Sequence, residues 1–179
     1  MVSKKYLGDY RLENVPDHRG KLKTVPVYRG PLFRFTAKEE VLRKAKRRNL
    51  LLVSLITAAL LTTMLLHSGM LSRIYVAMPL VLSILPAVLL WTGVFHLFTA
   101  GDSVPRDKSD HIHNRIAGWS TVLIILSSLS LIGQIFAYFD GGGVADLPVT
   151  LCAVVIVACA SLVFLGKKDL LMEMIPADP

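Results

Sequence analysis

The strongest constraint on the fold of this chain is a set of four long apolar runs that contain no charged residue. A transmembrane helix needs about 20 consecutive apolar residues, and each of these runs is long enough. None of them alternates between polar and apolar faces, as a helix on a soluble core does. The chain is also 53% hydrophobic, which is high for a soluble domain. We therefore predict an all-α integral membrane protein with four transmembrane helices, at residues 49–67, 74–100, 116–138 and 147–166.

The first apolar run continues directly from a basic segment that we expect to be helical. Thr36 and Glu39 have the spacing of a capping box, which indicates that a helix begins there. Five basic residues then precede the apolar run, and we call them the basic collar: Arg43, Lys44, Lys46, Arg47 and Arg48. Such a collar orients a helix in the membrane, and each of its charges can also attract anionic lipid by about 1 kcal/mol. The collar is thus a predicted lipid-binding site.

The distribution of positive charge predicts the topology of the chain. The net charge is +7, and every Lys and Arg except Arg73 lies on one side of the four predicted helices. Positive residues concentrate in the cytoplasmic segments of membrane proteins, so both termini are expected in the cytoplasm. This pattern favours a bacterial inner (cytoplasmic) membrane as the location. It explains the basicity without nucleic acid, which we do not expect as a partner.

Residues 1–35 are predicted to form a cytoplasmic N-terminal arm with β-like character. Its apolar runs are separated by turns rich in Gly and Pro, which favours a small three-stranded β-meander. Pro26 falls within the middle run, which is unusual for a central strand. Several aromatic residues suggest that the arm docks on the protein's own cytoplasmic face, on lipid headgroups or on a partner. Residues 36–168 then form the membrane domain, and residues 169–179 form a short cytoplasmic tail.

The second predicted helix contains two prolines. Pro79 lies in or near its first turn, where proline is tolerated, and Pro86 lies in its interior. An interior proline removes a backbone hydrogen bond, so we expect the kink at Pro86. Such kinks serve helix packing more often than gating.

The connection at residues 101–115 contains the only pattern that resembles a chemical site. His111 and His113, flanked by Asp107 and Asp110, offer ligand atoms to a divalent metal. Residues two apart on a helix point in different directions, so the histidines could share an ion only in an extended segment. No third histidine or cysteine occurs at ligand spacing. We therefore predict no metal and no cofactor, and His111 and His113 remain weak candidates.

The third predicted helix carries a stripe of small and polar residues. Ser120, Ser127 and Gln134 recur every seven residues, and Ser130 lies on the same side. Small and polar residues let membrane helices approach closely and form hydrogen bonds in lipid. We interpret this polar stripe as a helix interface, within one chain or with a partner. The alternative is the lining of a pore.

The absence of certain ionisable residues and motifs from the sequence makes several classes of function less expected. The predicted helices contain no ionisable Asp, Glu, Lys or Arg of the kind that marks proton relays and ion-coupled transport. The chain also lacks a phosphate-binding loop and a recognisable catalytic motif, so we do not expect an enzyme. The leading hypothesis is a non-catalytic accessory or scaffold subunit of a membrane complex. Its partners would be membrane lipids and either other membrane subunits or further copies of the chain. Alternatives are a small oligomeric channel or transporter, and a cytoplasmic-face sensor of metal or anionic lipid.

Overall fold

A computed structural model describes residues 8–16, 22–66, 69–101, 103–139 and 147–175. Its described part is mainly helical, with two small sheets. The helices are α1 (Glu39–Leu65), α2 (Ile74–Leu82), α3 (Ile84–Thr99), α4 (Arg106–Phe139) and α5 (Leu147–Leu165). The strands are β1 (Tyr10–Pro16), β2 (Leu22–Tyr28), β3 (Leu32–Phe35), β4 (Ser103–Pro105) and β5 (Met172–Ile175).

Four helical segments are long and apolar enough to cross a membrane, as the sequence predicts: Glu39–Leu65, Ile74–Thr99, Arg106–Phe139 and Leu147–Leu170. Their surfaces are unlike those of a soluble bundle. Only 33–39% of the most apolar part of each segment is buried, and large side chains such as Leu51 and Ile74 are 65% and 75% exposed. Several serines, Asn49 and Gln134 are buried inside. An apolar exterior around a partly polar interior suits a hydrocarbon environment.

The first helix begins later than the capping-box pattern predicts. Helix α1 starts at Glu39 with Lys38 at its N-cap, and no side chain caps it. The capping-box interpretation of Thr36 was therefore wrong. The Thr36 backbone N–H instead donates to the Leu171 carbonyl at 3.0 Å, so a tertiary contact occupies this residue. From Glu39 onward α1 runs without interruption through the basic collar into the apolar segment.

The second helical segment breaks at Ser83, three residues before the predicted kink at Pro86. Helix α2 ends at Leu82, and Pro86 is the third residue of α3. The cause is still the proline, because Pro86 has no N–H to donate to the Leu82 carbonyl one turn earlier. The Ser83 N–H and hydroxyl both donate to the Pro79 carbonyl, at 3.0 and 2.8 Å, and stabilise the turn at the break.

Helix α4 corrects the expectation of a loop at residues 101–115. It begins at Arg106 and has 34 residues, which corresponds to about 50 Å against about 30 Å for the hydrocarbon core of a bilayer. Its first turns, which contain both histidines, therefore extend beyond the apolar part of the helix.

The strands form two separate sheets, so the predicted three-stranded meander was wrong. Strands β1 and β2 pair as an antiparallel hairpin, in which Leu12 lies opposite Pro26. A two-stranded hairpin has no central strand, and this resolves the awkward position of Pro26. Strand β3 pairs on its two edges with β4 and β5, both antiparallel, and Phe33 lies opposite Val104 and Met174.

This three-stranded sheet joins distant segments of the chain at one end of the bundle. Its strands come from the segment before α1, the connection between α3 and α4, and the segment after α5. Phe35, Val104 and Leu170 are buried here and continue the core of the helical bundle. We call this end the basic end, because it carries the basic collar, and the opposite end the far end.

Candidate functional site at the basic end

The basic collar divides into residues used within the chain and residues that face outward. Lys46 donates to the Ala100 carbonyl at 2.8 Å, and its ammonium lies 5.8 Å from the centre of the Phe35 ring. Arg48 forms an ion pair with Asp169 at 2.9 Å, and Arg43 pairs with Glu39 one turn earlier.

The remaining two collar residues, Lys44 and Arg47, have a different environment. Both are exposed and form no ion pair with any residue that the structure describes. The lipid-binding interpretation therefore applies most directly to them, whereas Lys46 and Arg48 connect α1 to the chain segments at its sides.

The two histidine candidates lie on one continuous helix and do not face the same point. His111 and His113 are both in α4, so the extended backbone that a shared ion requires is not adopted. His111 instead contacts His96 of α3, with ring centres 5.6 Å apart and nearly perpendicular planes. Among the described residues, no group of three or more His, Cys, Asp or Glu side chains is placed to hold a metal ion.

The flanking acidic residue Asp107 has a contact that the sequence did not predict. The Tyr10 hydroxyl donates to its Oδ2 at 3.0 Å, which ties the β1–β2 hairpin to the first turn of α4. Burial raises the pKa of the Tyr10 phenol, and its hydrogen bond to Asp107 raises the pKa further. The Arg106 backbone N–H donates to the Tyr28 hydroxyl at 3.0 Å and fixes the second strand of the hairpin.

Beyond these contacts the hairpin exposes apolar side chains. Leu12 and Leu22 are 75% and 73% exposed, although they lie outside the apolar helical segments. The strand register places both on the same face as Tyr10 and Tyr28, whose rings pack edge to face at 5.1 Å. We call Leu12, Leu22 and the exposed Pro26 the hairpin patch.

The polar stripe lies inside the chain. Ser120, Ser127, Ser130 and Gln134 are each 3% exposed or less. Ser120 donates to the Ile116 carbonyl of its own helix, Ser130 donates to the Val76 carbonyl of α2 at 3.2 Å, and Gln134 donates to the Ser130 hydroxyl at 3.4 Å. All four therefore face helices of the same chain in this structure.

Among the described residues, four side chains have buried polar atoms without a hydrogen-bond partner. These atoms are the Ser127 hydroxyl, Gln134 Oε1, Asp107 Oδ1 and both amide atoms of Asn49, which is fully buried at the start of the apolar part of α1. The burial of Asn49 could not be predicted from the sequence, because an asparagine beside a basic collar is ordinarily a surface residue. Burying an amide without hydrogen bonds is unfavourable, so these positions reduce the stability of the bundle.

A close approach between α2 and α4 was also not predicted from the sequence. A Cβ atom added at Gly133 would lie 3.0 Å from the Tyr75 carbonyl oxygen and 3.3 Å from Val76 Cγ2. Glycine is therefore required for the close approach of these helices. Only the position of Pro79, four residues after Tyr75, could have indicated it from the sequence.

Comparison with known proteins identifies no relative of this chain. No protein family, curated protein or solved structure matches this chain.

Proposed function

We propose that this chain is a non-catalytic accessory or scaffold subunit of a membrane complex, inserted by its four helical segments with the basic end in the cytoplasm. The observation that carries the proposal is the hairpin patch, an apolar surface in the part of the chain that lies outside the bilayer in this arrangement. The positive-inside pattern supports the orientation.

The hairpin is suited to contact another protein. A two-stranded hairpin is marginally stable alone, and this one is anchored to α4 through Tyr10 and Tyr28. Solvent-exposed leucines on such an element are typical of an interaction surface. The hairpin also has backbone edges to which a partner strand can add.

The placement of the polar stripe changes which surface we assign to the partner. Gln134 is 1% exposed and contacts its own chain. A partner could not reach it without opening the bundle. We therefore assign partner binding to the hairpin patch and helix packing to the stripe.

The proposal is tested by purifying the tagged full-length protein from its native membrane and quantifying the proteins that accompany it. Leu12→Asp and Leu22→Asp place a charge in the hairpin patch, and we expect a stoichiometric partner to be lost from both. Val25→Asp is the matched control, because it adds the same charge at an exposed position of β2 on the face opposite the patch. The partner should remain bound to this variant.

Two results would contradict the proposal. One is a wild-type protein that carries no foreign subunit in stoichiometric amount under gentle extraction. The other is a partner that stays bound to both leucine variants, which would exclude the hairpin patch as its site.

A small channel or transporter is the second candidate, and the unpaired atoms of Ser127 and Gln134 favour it. Buried polar atoms along one helix can provide a path for water or a polar solute once the helices separate slightly. Solute flux into liposomes that contain only the purified chain would support this function. Such flux should then fall in the Gln134→Leu variant.

A further inference from the structure

A groove runs along one face of α4 where its polar first turns meet its apolar part. It has a volume of about 370 Å³ and is lined by residues spaced three or four apart along this face. They are Asp107, Asp110, His111, Asn114, Arg115, Gly118, Trp119 and Val122. A groove of this size is sufficient for part of a small amphiphilic ligand.

The chemistry of the groove changes in a fixed order along the helix. Asp107 and Asp110 line its outer end, where Asp107 Oδ2 already accepts from Tyr10, and Arg115 lines its middle. The inner end is apolar and contains Trp119 and Val122. At about 1.5 Å per residue along the helix axis, Asp107 at the acidic end lies about 12 Å from Arg115 and Val122 at the apolar end about 10 Å from it.

We propose that this groove binds a phospholipid whose headgroup carries a primary amine, that is, phosphatidylethanolamine. In this lipid the ammonium is outermost, the phosphate follows and the acyl chains lie innermost, which is the same order as acid, guanidinium and apolar wall. A primary ammonium donates hydrogen bonds to carboxylates, whereas the quaternary amine of phosphatidylcholine cannot. An arginine side chain can form paired hydrogen bonds with the phosphate, and tryptophan is commonly found at the depth of the lipid headgroups.

Gly118 and Arg115 give the site its shape. A Cβ atom added at Gly118 would have no neighbour within 4 Å, so the absence of a side chain keeps the groove open. Arg115 donates to the Thr92 hydroxyl of α3, which holds its guanidinium at the wall between the two helices. The proposal rests on the membrane placement proposed above and is independent of any protein partner.

The test is native mass spectrometry of the purified full chain with phosphatidylethanolamine, phosphatidylglycerol and phosphatidylcholine of identical acyl chains in competition. We expect phosphatidylethanolamine to be retained in preference to the other two. Gly118→Leu places a side chain in the groove at a position where an added Cβ has no neighbour within 4 Å, and it should lower bound phosphatidylethanolamine by about tenfold or more. Ala158→Leu, at an exposed position of α5, is the matched control and should leave binding unchanged.

A second pair of variants tests the acidic end separately. Asp110→Asn should reduce the preference for phosphatidylethanolamine over phosphatidylglycerol, and Glu40→Gln, at an exposed position of α1, should not. The proposal is overturned if the wild-type protein retains phosphatidylglycerol to the same extent as phosphatidylethanolamine. It is equally overturned if Gly118→Leu, with its thermal stability intact, binds phosphatidylethanolamine as the wild type does.

Discussion

Pro79 illustrates how one residue can create a contact between two helices. Because it has no N–H, the Tyr75 carbonyl four residues earlier lacks its usual hydrogen bond within α2. In a membrane a free carbonyl is unfavourable and must be accommodated by a neighbouring helix. Gly133 of α4 lies against this carbonyl oxygen, since a Cβ added there would be 3.0 Å from it, and a Cα–H contact to oxygen is favourable at such a site.

Gly133 and Gly118 provide a matched pair within α4. We expect Gly133→Leu to destabilise the protein by about 1–3 kcal/mol, because its side chain collides with the backbone of α2. At Gly118 an added Cβ has no neighbour within 4 Å and the position is exposed, so we expect Gly118→Leu to leave the stability of the protein nearly unchanged. Thermal unfolding in detergent measures both. Equal stability of the two variants would show that α2 and α4 do not approach as described.

At the scale of elements, the sequence predicted the apolar helices well because the signal for each is contained within the helix. About 20 uncharged apolar residues leave few alternatives to a membrane helix. The helical start of α4 was missed because Asp107, His111 and Pro105 resemble loop or metal-site composition. The break at Ser83 was misplaced by three residues because a proline disrupts the turn that precedes it.

The three-stranded sheet could not be predicted for a different reason. Strand β4 has three residues and β5 has four, so neither shows a recognisable alternation. Each is formed through pairing with β3, a contact between segments far apart in the sequence. Features of the candidate sites could not be predicted for the same reason. The contact of Tyr10 with Asp107 and the burial of Asn49 depend on tertiary structure alone.

The pairing of β3 with β5 is testable by cross-linking. Phe33 and Met174 are antiparallel partners, and such pairs have Cα separations of about 4.5–5.5 Å, within the range of a disulfide. We expect Phe33→Cys with Met174→Cys to cross-link on mild oxidation, once Cys152 and Cys159 are replaced by alanine. Electrophoresis without reductant measures the cross-linked fraction.

The control pair combines Phe33→Cys with Glu173→Cys. Glu173 is opposite Arg34, and its side chain lies on the other face of the sheet. This pair should cross-link much more slowly. Comparable rates for the two pairs would contradict the described register.

At the scale of the whole molecule, the three-stranded sheet lies at the same end of the bundle as the segments that carry most of the positive charge. The three-stranded sheet brings together the start of α1, the connection between α3 and α4, and the segment after α5. Nearly all basic residues belong to segments that flank this end. In a membrane these segments therefore share one side, and the positive-inside rule predicts that it is the cytoplasmic side.

The orientation can be measured with an impermeant thiol reagent applied to intact cells, in a protein without its native cysteines. A cysteine at Gly142, in the connection between α4 and α5, should react from outside. A cysteine at Lys108, near the start of α4, should react only after the cells are opened. The opposite labelling pattern would reverse the proposed topology.

The sheet also has a consequence for the order of events during synthesis. Strand β3 leaves the ribosome before the first helix, whereas β5 emerges only after the last one. One edge of β3 therefore stays open until translation has passed all four helical segments, and closing so long a loop must await their assembly. The sheet is therefore complete only after all four helical segments and β5 have been synthesised. A factor that recognises the open edge of β3 would distinguish nascent molecules from mature ones.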